Sequence, residues 1–334
     1  MEGARDLVGP ELRAAVESLP TPLRRVARHH LGWEQPDGSP AAGTTGTAPR
    51  SALVLAAADA LGGTPARDSA VRAAAAVELV HTVALLHDDA TDRDVTGRHR
   101  PTAGTMSGDA DALLAGDALQ ALAFGLLAED PHPASTAAAA RLAACVVELC
   151  PGRHTDITLG RRSPGDMDLD DVLAMAEART GALLGCACAV GALYAGATAE
   201  DVEALEVFGR EAGLAFRLID DVIGIWGDPG CTGKPAGADL AVREMPLPAV
   251  AALVSGTTAA VRPAEWQGQG TRRDPADVGR TAPAVERAGG RDWAQEEAAD
   301  RMSRAVGALA HAVPEPERAG GLLSLAELVT RRGA

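Results

Sequence analysis

Residues 69–94 read SAVRAAAAVELVHTVALLHDDATDRD, and the stretch carries both the fold class and the first sign of chemistry. From Ser69 to Asp89 apolar side chains recur at helical spacing, and no alternating pattern competes. Asp88 and Asp92 are four residues apart, so on a helix they share one face, with Asp89 adjoining them. The stripe continues upstream through Ala84 and His81 to Glu78 in steps of three or four. Carboxylates crowded in this way repel: at ~4 Å and an effective dielectric of ~20, each like pair costs on the order of 4 kcal/mol. Burying them needs a cation. An all-oxygen donor set suits Mg2+, which keeps waters and shares its shell with a phosphate. Taken alone, the stretch also reads as a solvated acidic helix end.

Helical spacing recurs outward from this point at Ser51–Leu61, Ala110–Leu127, Ala134–Leu149, Leu169–Ala195, Ala199–Trp226 and Leu247–Val254, with a tail at Asp292–Ala312 and Leu322–Arg332. Gly/Pro/Thr-rich breaks fall at Gly38–Pro49, Thr96–Gly108, Gly160–Gly165 and Gly227–Gly237. The polar, proline-interrupted stretch 262–290 reads as a mobile loop. The expectation is a single all-α domain over residues 1–334. No repeat of helical-solenoid period is present.

Composition narrows the function. Aromatics make up 2% of the chain, Asn is absent, and Lys234 is the only Lys among 31 basic residues. A net charge of −15 gives no concentrated positive face, which excludes nucleic acid as a partner. The N-terminal MEGARDLVGPELRAAVESLP has charges throughout and no apolar core of a signal peptide, so a cytoplasmic location is expected. The five cysteines form neither a CxxC pair nor an even framework and read as buried thiols. Thr180–Ala199 is uncharged and long enough to span a bilayer, but its Gly and Ala content reads as a buried core helix, so no transmembrane segment is expected.

A second acidic pair, Asp220 and Asp221, follows GLAFRLI, with Asp228 two turns beyond and Gly224 contributing no side chain between them. Two carboxylate clusters facing one cavity are what a diphosphate bridged by several Mg2+ ions requires. The metals neutralise the leaving group, so that a carbon–oxygen bond breaks heterolytically to give an allylic cation.

With these motifs in place the sequence resembles the trans-isoprenyl diphosphate synthases, the farnesyl and geranylgeranyl diphosphate synthase family, over nearly its whole length. DDATD at 88–92 is similar to the first aspartate-rich motif and RHRPT at 98–102 to the segment after it. GDAL at 116–119, DI at 156–157, RTGALL at 179–184, AFRLIDD at 215–221 and GDPGCTGKP at 227–235 keep the family's order. HLGW, PRSALVLAAADALGG and GGRDW resemble the actinobacterial-type branch, in which a second motif DDxxG is common. The resemblance implies an isoprenoid synthase-type helical bundle around a deep apolar cavity, and a homodimer. It further implies metal ligands Asp88, Asp89, Asp92 and Asp220, with Asp221 and Arg179 also in the catalytic set. Arg50, His81, Arg98, Arg179, Thr180, Phe216, Arg217 and Lys234 are the implied substrate-binding residues. Small Val83 and Ala84 before the first motif imply a product of geranylgeranyl size.

The departures concentrate in the phosphate-binding segments. Gly46-Thr47-Ala48 stands where the family has a glycine-lysine-arginine clamp, Gly97 replaces one arginine, and Glu244 replaces a lysine beside Arg243. Arg153 and Arg217 stand for glutamines. They either restore phosphate-binding charge or pair with neighbouring carboxylates. Three functions stay open: an elongase using isopentenyl diphosphate, a terpene synthase or diphosphate lyase acting on a ready-made prenyl diphosphate, and a non-catalytic partner subunit. The absent Asn and scarce aromatics oppose a cation-steering cyclase.

Overall fold

The computed structural model describes residues 2–41, 49–92, 96–97, 100–159, 168–232, 236–241, 246–255 and 275–330, and nearly every element in it is a helix. The backbone groups into two compact units, Met1–Val146 with Cys186–Glu203, and Val147–Gly185 with Ala204–Ala334. The sequence reading drew no such division.

The first unit holds α1 (Glu2–Glu17), α2 (Thr21–His30), α3 (Pro49–Ser69) and α4 (Val71–Asp92), then a two-residue antiparallel pair β1 (Thr96–Gly97) and β2 (Arg100–Pro101), α5 (Ala103–Ser107) and α6 (Asp109–Ala128). Helix α4 packs chiefly on α6 and α3. The four alanines Ala73–Ala76 are fully buried, and their small side chains let the neighbouring helices approach α4. Helix α3 runs beyond the expected Leu61 to Ser69, bending at Gly63, whose φ of +69° lies in the left-handed region that glycine adopts without strain. The expected break at 96–108 contains the strand pair and α5, which Thr102 caps by accepting from the Thr105 N–H.

Helix α7 (Ser135–Leu159) begins in the first unit and ends in the second. It is followed by α8 (Leu169–Ala176), a π-helical turn (Glu177–Gly181) and α9 (Ala182–Tyr194), which together replace the single helix expected over Leu169–Ala195. Among the described residues, Asp109–Ala128 and Leu169–Tyr194 are long and apolar enough to cross a membrane by length and composition, and 67% of the second's most apolar window is buried inside the protein. Cys186 and Cys188 lie in that buried part, and burial pushes the Cys188 thiol up to about 12.

Helix α10 (Ala199–Trp226) enters the second unit after its first turn. There Gly181 and Gly213 meet almost backbone to backbone, as do Leu184 and Gly209, so the start of α9 with the residue before it and the middle of α10 run antiparallel in contact. Short helices α11 (Pro229–Thr232) and α12 (Ala238–Ala241) lead to α13 (Leu247–Val254), α14 (Pro275–Arg287), α15 (Gly290–Ala312) and α16 (Pro316–Thr330). Helix α14 corrects the expected loop over 262–290, of which 262–274 lies outside the described residues. Pro275 occupies the first helical position, where a missing N–H costs nothing, Pro283 faces solvent, and Val278, Ala284 and Val285 are buried.

Candidate functional site

In the first unit α4 carries the first acidic motif. Asp88 and Asp89 are both half-buried. Asp89 Oδ2 lies 3.7 Å from His30 Nδ1 at the end of α2, a contact that becomes an ion pair when the imidazole is protonated. Asp92 ends α4; its side chain, and all of Arg98, lie outside the described residues. His81 is half-buried further upstream on α4, and Arg50 is half-buried in the first turn of α3. Sequence reasoning placed Glu78 in the acidic stripe; instead Glu78 Oε2 accepts from Ser51 Oγ at 3.1 Å and from the Ser51 N–H at 3.3 Å. Opposite the motif, α6 approaches so closely that a Cβ on Gly116 would collide with His87 Nε2.

The second unit holds the remaining candidates. Asp220 is exposed near the end of α10, whereas its neighbour Asp221 is 2% exposed. Asp221 Oδ2 accepts from the Leu247 N–H at 2.8 Å, and Oδ1 lies 2.9 Å from Arg217 Nε. Leu247 opens α13, so the carboxylate sits at a helix N-terminus, where negative charge is favoured. Burial pushes the Asp221 carboxyl up to about 6, against the opposing pull of Arg217 and the Leu247 N–H. The structure therefore gives Asp221, expected in the catalytic set, a structural task. Arg217 thus has a carboxylate beside it on its own helix.

Arg153 also faces a carboxylate: its Nη1 donates to Asp156 Oδ2 at 2.9 Å, and Arg179, on the π-helical turn, donates to the same oxygen. A Cβ on Gly152 would stand 2.9 Å from Ala178 Cβ, so the chain before α9 is seated directly on the end of α7. Thr180 and Phe216 are half-buried on the crossing segments. Position 224 holds a finding the sequence could not supply. A Cβ there would overlap Asp239 Oδ2, so the carboxylate of α12 already occupies the space a side chain at 224 would need. Lys234, Arg243, Glu244, Gly46, Thr47 and Ala48 lie outside the described residues. Among the described residues no three His, Cys, Asp or Glu side chains converge as a metal-holding group. Asp88 in the first unit and Asp220 in the second each offer carboxylate oxygen, a donor that Mg2+ or Ca2+ takes.

Residues 41–278 match the polyprenyl synthetase family. The chain belongs to that family. It is 44% identical over 333 residues to the geranylgeranyl diphosphate synthase of Mycobacterium tuberculosis, covering 99% of this chain and 93% of that protein. It is 40% identical over 336 residues to the (2E,6E)-farnesyl diphosphate synthase of Mycobacterium bovis, covering 99% and 92%. Among solved structures it superposes on a polyprenyl synthetase from Streptomyces coelicolor with a TM-score of 0.92 at 38% identity, covering 98% of each chain. A polyprenyl synthase from Caulobacter crescentus, solved with calcium and isoprenyl diphosphate, gives 0.83 at 28% identity over 100% of this chain and 96% of that one. The all-α isoprenoid synthase class read from the sequence is the class of these structures. The family match crosses both compact units of this polyprenyl synthetase, and as a member it is a prenyltransferase.

Proposed function

We propose that this polyprenyl synthetase makes a farnesyl- or geranylgeranyl-sized diphosphate, joining an allylic prenyl diphosphate to isopentenyl diphosphate with Mg2+ as its metal. The observation that carries the reading is the 44% identity to a geranylgeranyl diphosphate synthase over 99% of the chain. Asp88, Asp89, Asp92 and Asp220 are the residues proposed as metal ligands, because all are carboxylates of the two acidic motifs, whereas Asp221 is taken up by the N-terminus of α13. When bound, Mg2+ neutralises the departing diphosphate. The carbon–oxygen bond breaks with its electron pair leaving on the diphosphate, the alkene of isopentenyl diphosphate supplies the pair for the new carbon–carbon bond, and a proton is lost. Arg179, anchored by Asp156, is proposed to hold the allylic diphosphate, and Arg50 and His81 the other. Val83 is buried and Ala84 half-buried, and their small size before the first motif supports the longer product. A homodimer is proposed on the face of α6 where Leu113 and Leu114 are 37% and 55% exposed.

The test is incubation with Mg2+ and dimethylallyl, geranyl or farnesyl diphosphate, with and without labelled isopentenyl diphosphate. Label in a longer diphosphate is expected; hydrocarbon or alcohol formed equally without isopentenyl diphosphate would refute the reading and favour a lyase. Asp88→Ala should lower elongation at least about a hundredfold with its melting temperature preserved, because the charge it helps neutralise develops in the transition state. An unaffected variant would sink the metal assignment.

A further inference from the structure

Glu78 lies in the middle of α4, ten residues before Asp88, and its carboxylate is turned onto α3. Oε2 accepts both the N–H and the hydroxyl of Ser51, a residue with no exposed surface. Ser51 belongs to the first turn of α3, whose N–H groups have no acceptor within the helix, and a negative charge at that end is the favourable sign. Here the charge comes from another helix, so the contact fixes where the α3 N-terminus sits on α4 as well as satisfying the donors. Arg50 occupies the same turn, adjacent to Ser51.

We infer that Glu78 is a positioning residue for the second substrate: by pinning the first turn of α3 to α4 it sets the backbone from which Arg50 extends to the diphosphate of isopentenyl diphosphate. This rests on the reading of Arg50 given under the proposed function. Ten residues of helix separate Glu78 from Asp88 by about 15 Å. The pinned turn is therefore well removed along α4 from the carboxylates proposed for the allylic diphosphate. Loss of Glu78 should consequently weaken one diphosphate and spare the other. A contact that merely stabilised the fold would not discriminate between them.

The experiment measures isopentenyl diphosphate binding by titration calorimetry and the KM of each substrate, with melting temperatures alongside. Glu78→Ala is expected to weaken isopentenyl diphosphate about tenfold, the scale of one misplaced charged hydrogen bond, with the KM for geranyl diphosphate changed less than about twofold. Glu78→Gln, which keeps an acceptor, should recover to within about threefold of wild type. In an Arg50→Met background, Glu78→Ala should add less than about twofold, since the group it positions is gone. Equal effects on both substrates, or the full tenfold loss persisting in the Arg50→Met background, would overturn the inference. Should Glu78→Ala not fold, Ser51→Ala and Glu78→Gln carry the same comparison. Calorimetry keeps this separable from the proposed function: a protein that fails to elongate refutes that reading, while positioning stands or falls on whether Glu78→Ala changes isopentenyl diphosphate binding.

Discussion

Replacing Asp221 with asparagine should remove a specific pH dependence from the stability of the second unit. The carboxyl is 2% exposed and its pKa is pushed from the ordinary 3.8 up to about 6, chiefly by burial. Because the folded state binds this proton more tightly than the unfolded chain does, the group contributes stability in full below pH ~4, and that contribution is lost as pH rises through about 6. Integrating between those two values, roughly 2 kcal/mol should disappear between about pH 4.5 and about pH 7.5. The carboxamide of Asp221→Asn has the same shape but no proton to lose, so the wild-type minus variant difference should carry that change while the other carboxylates cancel. Urea unfolding in chelator-containing buffer, followed by tryptophan fluorescence, is a direct assay, because Trp226 and Trp293 pack on the core cluster containing Leu218 and Val222. Parallel curves within about 0.5 kcal/mol would refute the reasoning. So would a wild type that gains stability over the variant as the pH rises, since the ionised carboxylate would then be held by Arg217 more strongly than burial opposes it.

Two further predictions concern close approaches of the backbone. A Cβ on Gly191 of α9 would collide with the Val54 carbonyl oxygen and stand 2.7 Å from Ala57 Cβ of α3, and backbone atoms cannot swing aside. Gly191→Val should therefore lose at least about 2 kcal/mol in urea unfolding. Gly224→Asp, which would restore a third aspartate to the second motif, should lose about 1–3 kcal/mol because Asp239 Oδ2 occupies the place of the new Cβ and carries like charge. Adding Asp239→Ala should recover most of that loss; a stable single variant would show that Asp239 leaves the position readily.

Helix class and motif order were legible because both are local. Apolar spacing locates α4 and α10, and the acidic motifs lie within single helical turns. The miss at α14 came from reading prolines as breakers where one sits at the first helical position and the other faces solvent. The partners of the charged residues were not legible, because His30 with Asp89, Ser51 with Glu78 and Leu247 with Asp221 meet across long stretches of chain. No spacing rule links such pairs; helix packing creates them. Arg153 and Arg217 illustrate the limit: the sequence left phosphate binding and carboxylate pairing equally open, and the structure shows each against an aspartate one turn away on its own helix.

By itself the sequence determined that this chain is an all-α polyprenyl synthetase with two adjacent-aspartate motifs. Tertiary structure decided that Asp221 of the second pair is buried against the scaffold while Asp220 is exposed. Consecutive residues on a helix point about 100° apart, so Asp88 and Asp89, or Asp220 and Asp221, cannot both face the same way. Only the neighbouring helices show what each one meets. Helix α2 brings His30 to Asp89, and the N-terminus of α13 claims Asp221, while Asp220 stays exposed at the end of α10.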